Sequence, residues 1–571
     1  MMSPSIFDDP ITLEVVWGRL ESIAAEMQTV LRRTALSTLI SAANDLGCEI
    51  MDARGWSVAH AATSNPTFNL TLPRVAGELL KRFPAETLRE GDVLFTNDPW
   101  IGAGHLPDVS VVTPFFKHGK LAGFAGSIAH VSDIGGLLNQ SAARSVYEEG
   151  VHFPPLKLYA GGTPNEAIFT TLRGSVRAPE MVLGDLAAIV TATGVAARHA
   201  VDLLDEYGLD DLQELSDAVQ TRAERAMRET IASLPDGDYP YEHTFHGPDG
   251  PMTIGAVVRI RGDELEVDYV DVPPQHPHGG INSTMSFTVA RTTYALNCVL
   301  TPHIPSNQGL FRPITVHAPE GSVLNPEYPA SVNDRTKVGW QTVPIVQGAL
   351  AGIAPHTTAP SGFQSGMRFI GTDPQGVPLS TIFMHGGGMG AGEDTDGVDA
   401  ICYPTSSTTI PVEVFESTIG AHVESNELLP ESAGTGRMRG GYGLQTVVRA
   451  PRDEAAQFTM AASVNQLEFP PDGLDDGNPG TPTRILLDGE PVAPLEIPHR
   501  VGALALRRQT GAVTLRTPGG GGFGDPRQRD PMLVLRDVRD ELLTAEAAER
   551  LYGVRVDLPT LHAARISDPA N

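Results

Sequence analysis

Apolar residues recur at three- and four-residue steps early in the chain, at Val16, Leu20, Ile23, Met27, Val30 and Leu31. That spacing puts side chains on one face of an α-helix, and Asp9-Pro10 supplies its start signal. After a turn-rich stretch, CEIMD reads as a short strand ending at an Asp-Ala-Arg-Gly turn. Residues 71–89 read as a second helix. DVLFTND and SVVTPFF are runs rich in Val, Phe and Thr, which predicts strands on either side of a loop at 99–108. KLAGFAGSIAHVSDIGG continues as an apolar strand, with a polar loop opening at His130.

Residues 181–234 return to helical spacing, and LPDGDYPYEHTFHGPDGPM then interrupts it with several turn dipeptides. Beyond that break, alternating segments such as AVVRIRGDELEVDYVDV predict antiparallel strands, interrupted by helices near 285–301 and 335–353. The remainder, to about residue 525, is strand-like and rich in Gly and Pro. The expected fold class is α+β. The expected organisation is an N-terminal α+β part over 1–235, carrying the candidate chemistry, and a β-rich part with interspersed helices over 236–571. No internal repeat is visible.

Composition narrows the function classes. A chain of 571 residues with 41% hydrophobic and 19% charged residues has ample material for a buried core. Its net charge of −28 argues against nucleic-acid binding, which needs basic clusters to neutralise phosphates, and against a polybasic membrane contact. The three cysteines, Cys48, Cys298 and Cys402, are far apart and form no C-x-x-C pair, so neither a disulfide framework nor a cysteine zinc site is expected. No basic segment followed by an apolar stretch opens the chain, and no uninterrupted apolar run reaches the ~20 residues a bilayer requires. A cytoplasmic location is the expectation.

The candidate chemistry lies in NDPWIGAGHLPDV and AHVSDIGG, which place His105, Asp108 and His130 in Gly-rich loops. His105-x-x-Asp108 puts an imidazole and a carboxylate on one tight turn, with Pro107 restricting the backbone between them. His130 starts a second loop. If the strands ending near Asp98 and Ala129 run side by side, both loops emerge at one edge, and Asp45 in AANDLGCEIMD can add a fourth ligand. Two imidazoles and two carboxylates suit Zn²⁺, Mn²⁺ or Fe²⁺ and leave coordination positions open. On spacing alone, the same residues serve equally as mutual hydrogen-bond partners and amide caps. Glu149, in Glu148-Glu149-Gly150, is a candidate carboxylate for proton transfer or for orienting a ligand histidine, or one of a solvated charge pair. Asp133 is a candidate acceptor behind the site or a turn-stabilising aspartate.

Gly386 to Gly390 and Gly519 to Gly522 invite a phosphate-loop reading, but the only Gly-Lys is Gly119-Lys120 and a leucine follows it. G-x-x-x-x-G-K-[ST] is therefore absent, and with five lysines in the chain no nucleotide cradle is expected. Tight turns or close backbone packing account better for these glycines.

Several longer motifs carry a family resemblance. DPITLEVVWGRL, FTNDPWIGAGHLPDVSVVTPFF, AHVSDIGG and SVYEEGVHFPPLKLY are similar to the hydantoinase B / oxoprolinase family. The likeness continues through PHGGINSTMSFTVARTTYAL, IPSNQGLFRPITVHAPEGSVLNPEYPA, LLPESAGTGRMRGGYG and TPGGGGFGDP, nearly the whole chain. The family takes in N-methylhydantoinase B-type subunits, the matching half of ATP-dependent 5-oxoprolinase, ATP-dependent lactamases, and subunits of acetone and acetophenone carboxylases. The resemblance implies a divalent metal ion on Asp45, His105, Asp108 and His130. It also implies a hetero-oligomer in which a hydantoinase A-type partner with a kinase-like fold binds ATP, so that this chain does not. The implied reaction is opening of a cyclic amide (hydantoin, 5-oxoproline or lactam class), with metal-bound hydroxide attacking a carbonyl activated by the partner. The alternatives are a ketone carboxylase of the acetone or acetophenone type, and a scaffold subunit with a structural metal. One departure bears on the substrate: where many members have a segment of the type H-I-P-V-H-L-G, this chain has SNPTFNLTLP, with Ser64 and Phe68 at the places of the histidines.

Overall fold

The computed structural model describes residues 6–137, 142–372, 376, 378–449, 457–493, 504–506 and 511–566. The first five residues, and parts of the strand-like stretch expected up to about 525 (450–456, 494–503 and 507–510), lie outside the described residues. The chain mixes helix and sheet, as an α+β fold does, and its contacts divide it into two compact units.

The first unit holds Met1–His243, Thr253–Ala349 and Thr405–Ser407, and the second holds Thr244–Met252, Leu350–Pro404 and Thr408–Asn571. The boundary expected near 235 is therefore displaced by more than a hundred residues. Alternating strands and helices continue past 250, but they pack on the N-terminal helices, so that local pattern does not mark the division.

The first unit opens with α1 (Pro10–Thr34) and a short α2 (Thr38–Ser41). Asp9 caps α1 by accepting the Thr12 N–H at 3.1 Å, and Pro10 occupies the first turn, where its missing N–H costs nothing. Val16, Leu20, Met27 and Leu31 of the predicted face are buried, while Ile23 and Val30 pack at its margin. Next come β1 (Leu46–Asp52), β2 (Ser57–His60), α3 (Pro66–Arg82), β3 (Val93–Thr96), β4 (Asp108–Lys117), β5 (Lys120–His130), β6 (Leu156–Ala160) and β7 (Thr163–Pro164). These strands form one antiparallel sheet in the order β2-β1-β5-β4-β3-β6-β7.

The helices α4 (Glu166–Ser175), α5 (Pro179–Tyr207) and α6 (Gln213–Ala232) follow. Leu46, Cys48, Ile50, Val109, Val111, Ala125 and Ala129 join α1 and α5 in one core, while Met51, Leu94, Val112, Phe124 and Ile128 meet α3 in another. With helices on both faces, every residue of β1 is buried, which is why its sequence does not alternate. By length and composition α5 is the one helix, among the described residues, apolar enough to cross a membrane. Its Leu186, Ile189, Ala192 and Ala196 are buried in the sheet core instead.

The helix expected over 71–89 spans Pro66–Arg82. It starts earlier because Asn65-Pro66 is a cap and first turn, with Asn65 Oδ1 accepting the Thr67 N–H at 3.2 Å. It stops at Phe83-Pro84, since the residue before a proline is pushed out of the α region. α3 lies close on the sheet because two strand positions lack a side chain. A Cβ at Gly47 would meet Phe68 Cβ at 2.6 Å, and one at Gly126 would meet Leu72 Cδ2 at 2.8 Å.

A second sheet orders β11-β10-β9-β8, from β8 (Gly237–Gly247), β9 (Gly250–Arg261), β10 (Glu264–Val270) and β11 (Ile314–His317), with β10 and β11 parallel. Between and after these strands stand α7 (Met285–Leu300), α8 (Gln308–Phe311), α9 (Thr336–Gly339) and α10 (Thr342–Ala349), close to the two helices predicted there.

The second unit is mainly sheet. Its four-stranded sheet comprises Ser365–Thr372, Pro378–His385, Gln457–Ser463 and Leu504–Leu506, and its five-stranded sheet includes His422–Leu428, Leu444–Arg449 and Ala512–Arg516. The two glycine clusters of the sequence meet here as backbone against backbone. Gly388 N–H donates to the Pro518 carbonyl at 2.9 Å, and Gly520 N–H donates to the Gly441 carbonyl at 3.0 Å. A Cβ at Gly388 would overlap the Gly441 carbonyl, and one at Gly520 would overlap that of Met389.

Candidate metal centre

Three neighbouring strand ends build the site. Asp108 is the first residue of β4 and sits opposite His130, the last residue of β5. β1 lies on the other side of β5, with Leu46 opposite Ala129, so Asp45 stands just before its strand at the same edge. The backbone closes this corner, as His130 N–H donates to the Asp45 carbonyl at 3.1 Å and Val131 N–H to the Pro107 carbonyl at 2.9 Å. The expectation that the strand ending near Asp98 lies beside the one ending near Ala129 is corrected, because β4 separates β3 from β5. The edge forms all the same, because β4 begins where β5 ends.

The loop carrying His105 is anchored by Asn97. Its Nδ2 donates to the carbonyls of Leu106 and Val151, both at 2.9 Å, and its Oδ1 accepts the Phe153 N–H at 2.7 Å. A strap from the distant segment 326–335 crosses this loop. Trp100 Nε1 donates to the Pro326 carbonyl at 3.1 Å, and His105 Nδ1 lies 3.1 Å from the Asn333 carbonyl. A carbonyl can only accept, so His105 carries its proton on Nδ1 and keeps the Nε2 lone pair free.

His105, Asp108 and His130 each offer a ligand atom, and these atoms lie within 4.8 Å of one another. Asp108 Oδ1 is the hub, 2.8 Å from His105 Nε2 and 3.0 Å from His130 Nδ1. The first contact is close but not aligned as a hydrogen bond, and both buried Nε2 atoms lack a hydrogen-bond partner. Asp45 stands beside this set, with Oδ2 3.8 Å from His130 Nδ1 and Oδ1 accepting from Asn65 Nδ2 at 3.2 Å. All four residues are buried. An orphaned His105 Nε2 and the His130 ring beside two carboxylates are the donor types that a borderline or hard divalent ion takes, so the residues present fit such an ion.

The electrostatics follow from burial and one cation. Burial, then the charge of Arg335, depresses His105 to about 3, so the imidazole is neutral. For Asp108 burial works upward, but the charge of Arg335 and the hydrogen bond from His130 outweigh it and hold the carboxyl well below the usual range. Burial raises the carboxyl of Asp45, and nearby Asp108 adds to the rise. Arg335 Nη2 lies 2.6 Å from Asp108 Oδ2, its Nε donates to the Ala103 carbonyl at 2.6 Å, and its guanidinium stands 4.6 Å from the Phe287 ring centre.

Of the other residues singled out in the sequence, Glu149 is fully buried behind the strap. Its Oε1 accepts the N–H groups of Val332 at 2.7 Å and Asn333 at 2.8 Å, its Oε2 has no hydrogen-bond partner, and burial lifts it to about 7. Glu148 instead pairs with Arg144 at 3.0 Å near the surface. Asp133 is a turn residue, bound to the backbone and guanidinium of Arg177. SNPTFNLTLP forms the start of α3: Ser64 Oγ accepts the Cys48 N–H at 3.0 Å and Phe68 packs in the core. Three residues of the site, Asn65, Asn333 and Arg335, were missed by sequence reasoning. Asn65 had a signal in the Asn-Pro start of a helix, whereas nothing in SVNDRTKVGW distinguishes a buried arginine from a surface one.

Comparison with known proteins agrees with this architecture. The model of the hydantoinase B/oxoprolinase family matches residues 9–526. A protein of Pseudomonas sp. (strain NS671), provisionally named as the B component of a D-/L-hydantoinase, is 31% identical over 96% of this chain and 95% of its own. The beta component of the caprolactamase of Pseudomonas jessenii is 30% identical over 96% of each chain. The crystal structure of the ATP-dependent caprolactamase from that organism superposes with a TM-score of 0.85 at 29% identity, covering 96% of this chain and 97% of that one. A nucleotide-free acetone carboxylase structure shares the fold, with a TM-score of 0.82 at 17% identity over 96% of this chain and 80% of that one. The chain belongs to the hydantoinase B/oxoprolinase family.

Proposed function

We propose that this chain is the metal-bearing B-type subunit of an ATP-dependent amidohydrolase that opens a cyclic amide. An A-type partner handles the nucleotide and activates the substrate carbonyl. The observation that carries this reading is the pair of buried imidazoles gathered on Asp108, His105 through an unpartnered Nε2 and His130 through Nδ1, with Asp45 beside them, in a chain of this family. Relatives named as one component of a multi-subunit enzyme support the partner.

His105, His130, Asp108 and Asp45 would hold the ion. A divalent ion there supplies a Lewis acid that polarises a carbonyl or lowers the pKa of a water. The protein's own groups prepare for it. His105 is neutral and its tautomer is set by Asn333, so its lone pair is available without loss of a proton. Arg335 keeps Asp108 ionised and offsets one of the two carboxylate charges in a buried place. Held on neighbouring strand ends, these groups lose little freedom on engaging a ligand.

The test is the assembled complex with its partner, given hydantoin, 5-oxoproline or caprolactam with ATP. His105→Ala is expected to abolish ring opening and leave the partner's nucleotide turnover largely intact. Full product formation by the variant would overturn the reading. With acetone or acetophenone supplied instead, product that gains mass from bicarbonate, together with no ring opening of the cyclic amides, would move the assignment to ketone carboxylation.

A further inference from the structure

We infer that Glu149 is a positioning residue of the metal centre, acting on His105 through the strap Val332–Arg335 and not by transferring protons. The inference rests on the metal reading above. Two residues of this strap touch two proposed ligands: the Asn333 carbonyl accepts from His105 Nδ1 at 3.1 Å, and Arg335 Nη2 lies 2.6 Å from Asp108 Oδ2. Where the strap sits therefore decides where both ligands point.

Glu149 is what holds it. One carboxylate oxygen, Oε1, accepts the amides of both Val332 and Asn333. The segment around Glu149 is itself tied to the strap, with Val146 N–H donating to the Pro329 carbonyl at 3.0 Å and Ser145 bridged to Ala330. On the other side Asp334 N–H donates to the Gly280 carbonyl at 2.8 Å. Gly280 has φ +65°, and a Cβ there would stand 3.1 Å from Asn333 N and 3.3 Å from Glu149 Oε1. The strap thus runs between a glycine and a buried glutamate. From Glu149 the hydrogen bonds lead to His105 by way of the Asn333 peptide. Groups that orient a metal ligand from behind are worth about 10–100-fold in ion affinity.

Three substitutions separate positioning from proton transfer. Glu149→Gln keeps an oxygen for the two amides, Glu149→Asp is one methylene too short to reach both, and Glu149→Ala removes the acceptor. Each full-length chain is stripped with a chelator, checked by circular dichroism, and titrated calorimetrically with Mn²⁺ and Zn²⁺. The visible spectrum of the Co²⁺-loaded chain reports ligand geometry. The expected result is affinity within about threefold of the native chain for Glu149→Gln, and losses of about 10–100-fold with an altered Co²⁺ spectrum for Glu149→Asp and Glu149→Ala. Native-like affinity and spectrum in a folded Glu149→Asp or Glu149→Ala chain would overturn the inference. So would loss of turnover by Glu149→Gln with its ion affinity intact, because that is the signature of a proton-transfer group. A native chain that binds neither ion would sink the metal reading itself, before any variant is compared.

Discussion

Replacing Arg335 with methionine tests the charge balance of the centre most directly. Arg335 is buried, its Nη2 lies 2.6 Å from Asp108 Oδ2, and the Asp108 side chain is fully buried. Removing one member of such a pair strands the other charge in a place water does not reach, at a cost of about 3–5 kcal/mol. Asp108 keeps one aligned hydrogen bond, from His130 Nδ1 at 3.0 Å, so the loss should fall at the lower end, about 3 kcal/mol without an ion. A bound divalent cation restores positive charge beside the same carboxylate. Mn²⁺ or Zn²⁺ should therefore stabilise Arg335→Met more than the native chain. Urea denaturation with chelator or saturating ion measures both quantities. The signal is selective, because all four tryptophans (Trp17, Trp56, Trp100 and Trp340) lie in the first unit. Equal stability of variant and native chain in chelator would refute the buried-pair argument. Equal shifts on adding the ion would refute the claim that ion and guanidinium balance the same carboxylate.

Two further outcomes follow from single residues. Asn65→Ala removes both the cap of α3 and the donor to Asp45, so tryptophan-monitored stability should fall by about 1 kcal/mol and calorimetric ion affinity should fall with it. In the second unit, His385 is buried, and burial depresses it to about 3 against the smaller upward pull of the Phe383 backbone. Below pH 6.5 the unfolded histidine takes up a proton that the folded one refuses, so acid removes stability at about 1.4 kcal/mol per pH unit, about 2 kcal/mol by pH 5. In thermal denaturation followed by circular dichroism at pH 6.5 and 5, His385→Leu should lose less stability than the native chain, and equal losses would contradict the assignment.

The sequence disclosed those parts of the fold that local pattern encodes. The buried face of α1 is visible in its spacing, and β4 and β5 in their apolar runs. The four candidate ligands stood out through the family resemblance, since on spacing alone imidazoles and carboxylates in Gly-rich loops serve equally as hydrogen-bond partners and amide caps. What pattern cannot supply is adjacency. The order of β3, β4 and β5 is set by pairing across the sheet, and the strap reaches the site from more than two hundred residues away. Arg335 became visible only when its carboxylate partner was placed beside it. The displaced unit boundary has the same origin, since α7 packs on α3, which lies far before it in the chain.

The interlocked glycines of the second unit bear on the order in which the chain can fold. Gly388, Gly441 and Gly520 seal one another by backbone hydrogen bonds and contacts that no side chain could enter. None of that lattice can close until the segment around residue 520 has been synthesised. The sheet bearing the candidate metal centre lies before residue 165, and the strap that completes the centre ends at Arg335. On the ribosome, the chemical half has all its parts long before the second half receives its last. The second half waits on pairings of high sequence separation, the slowest kind to form.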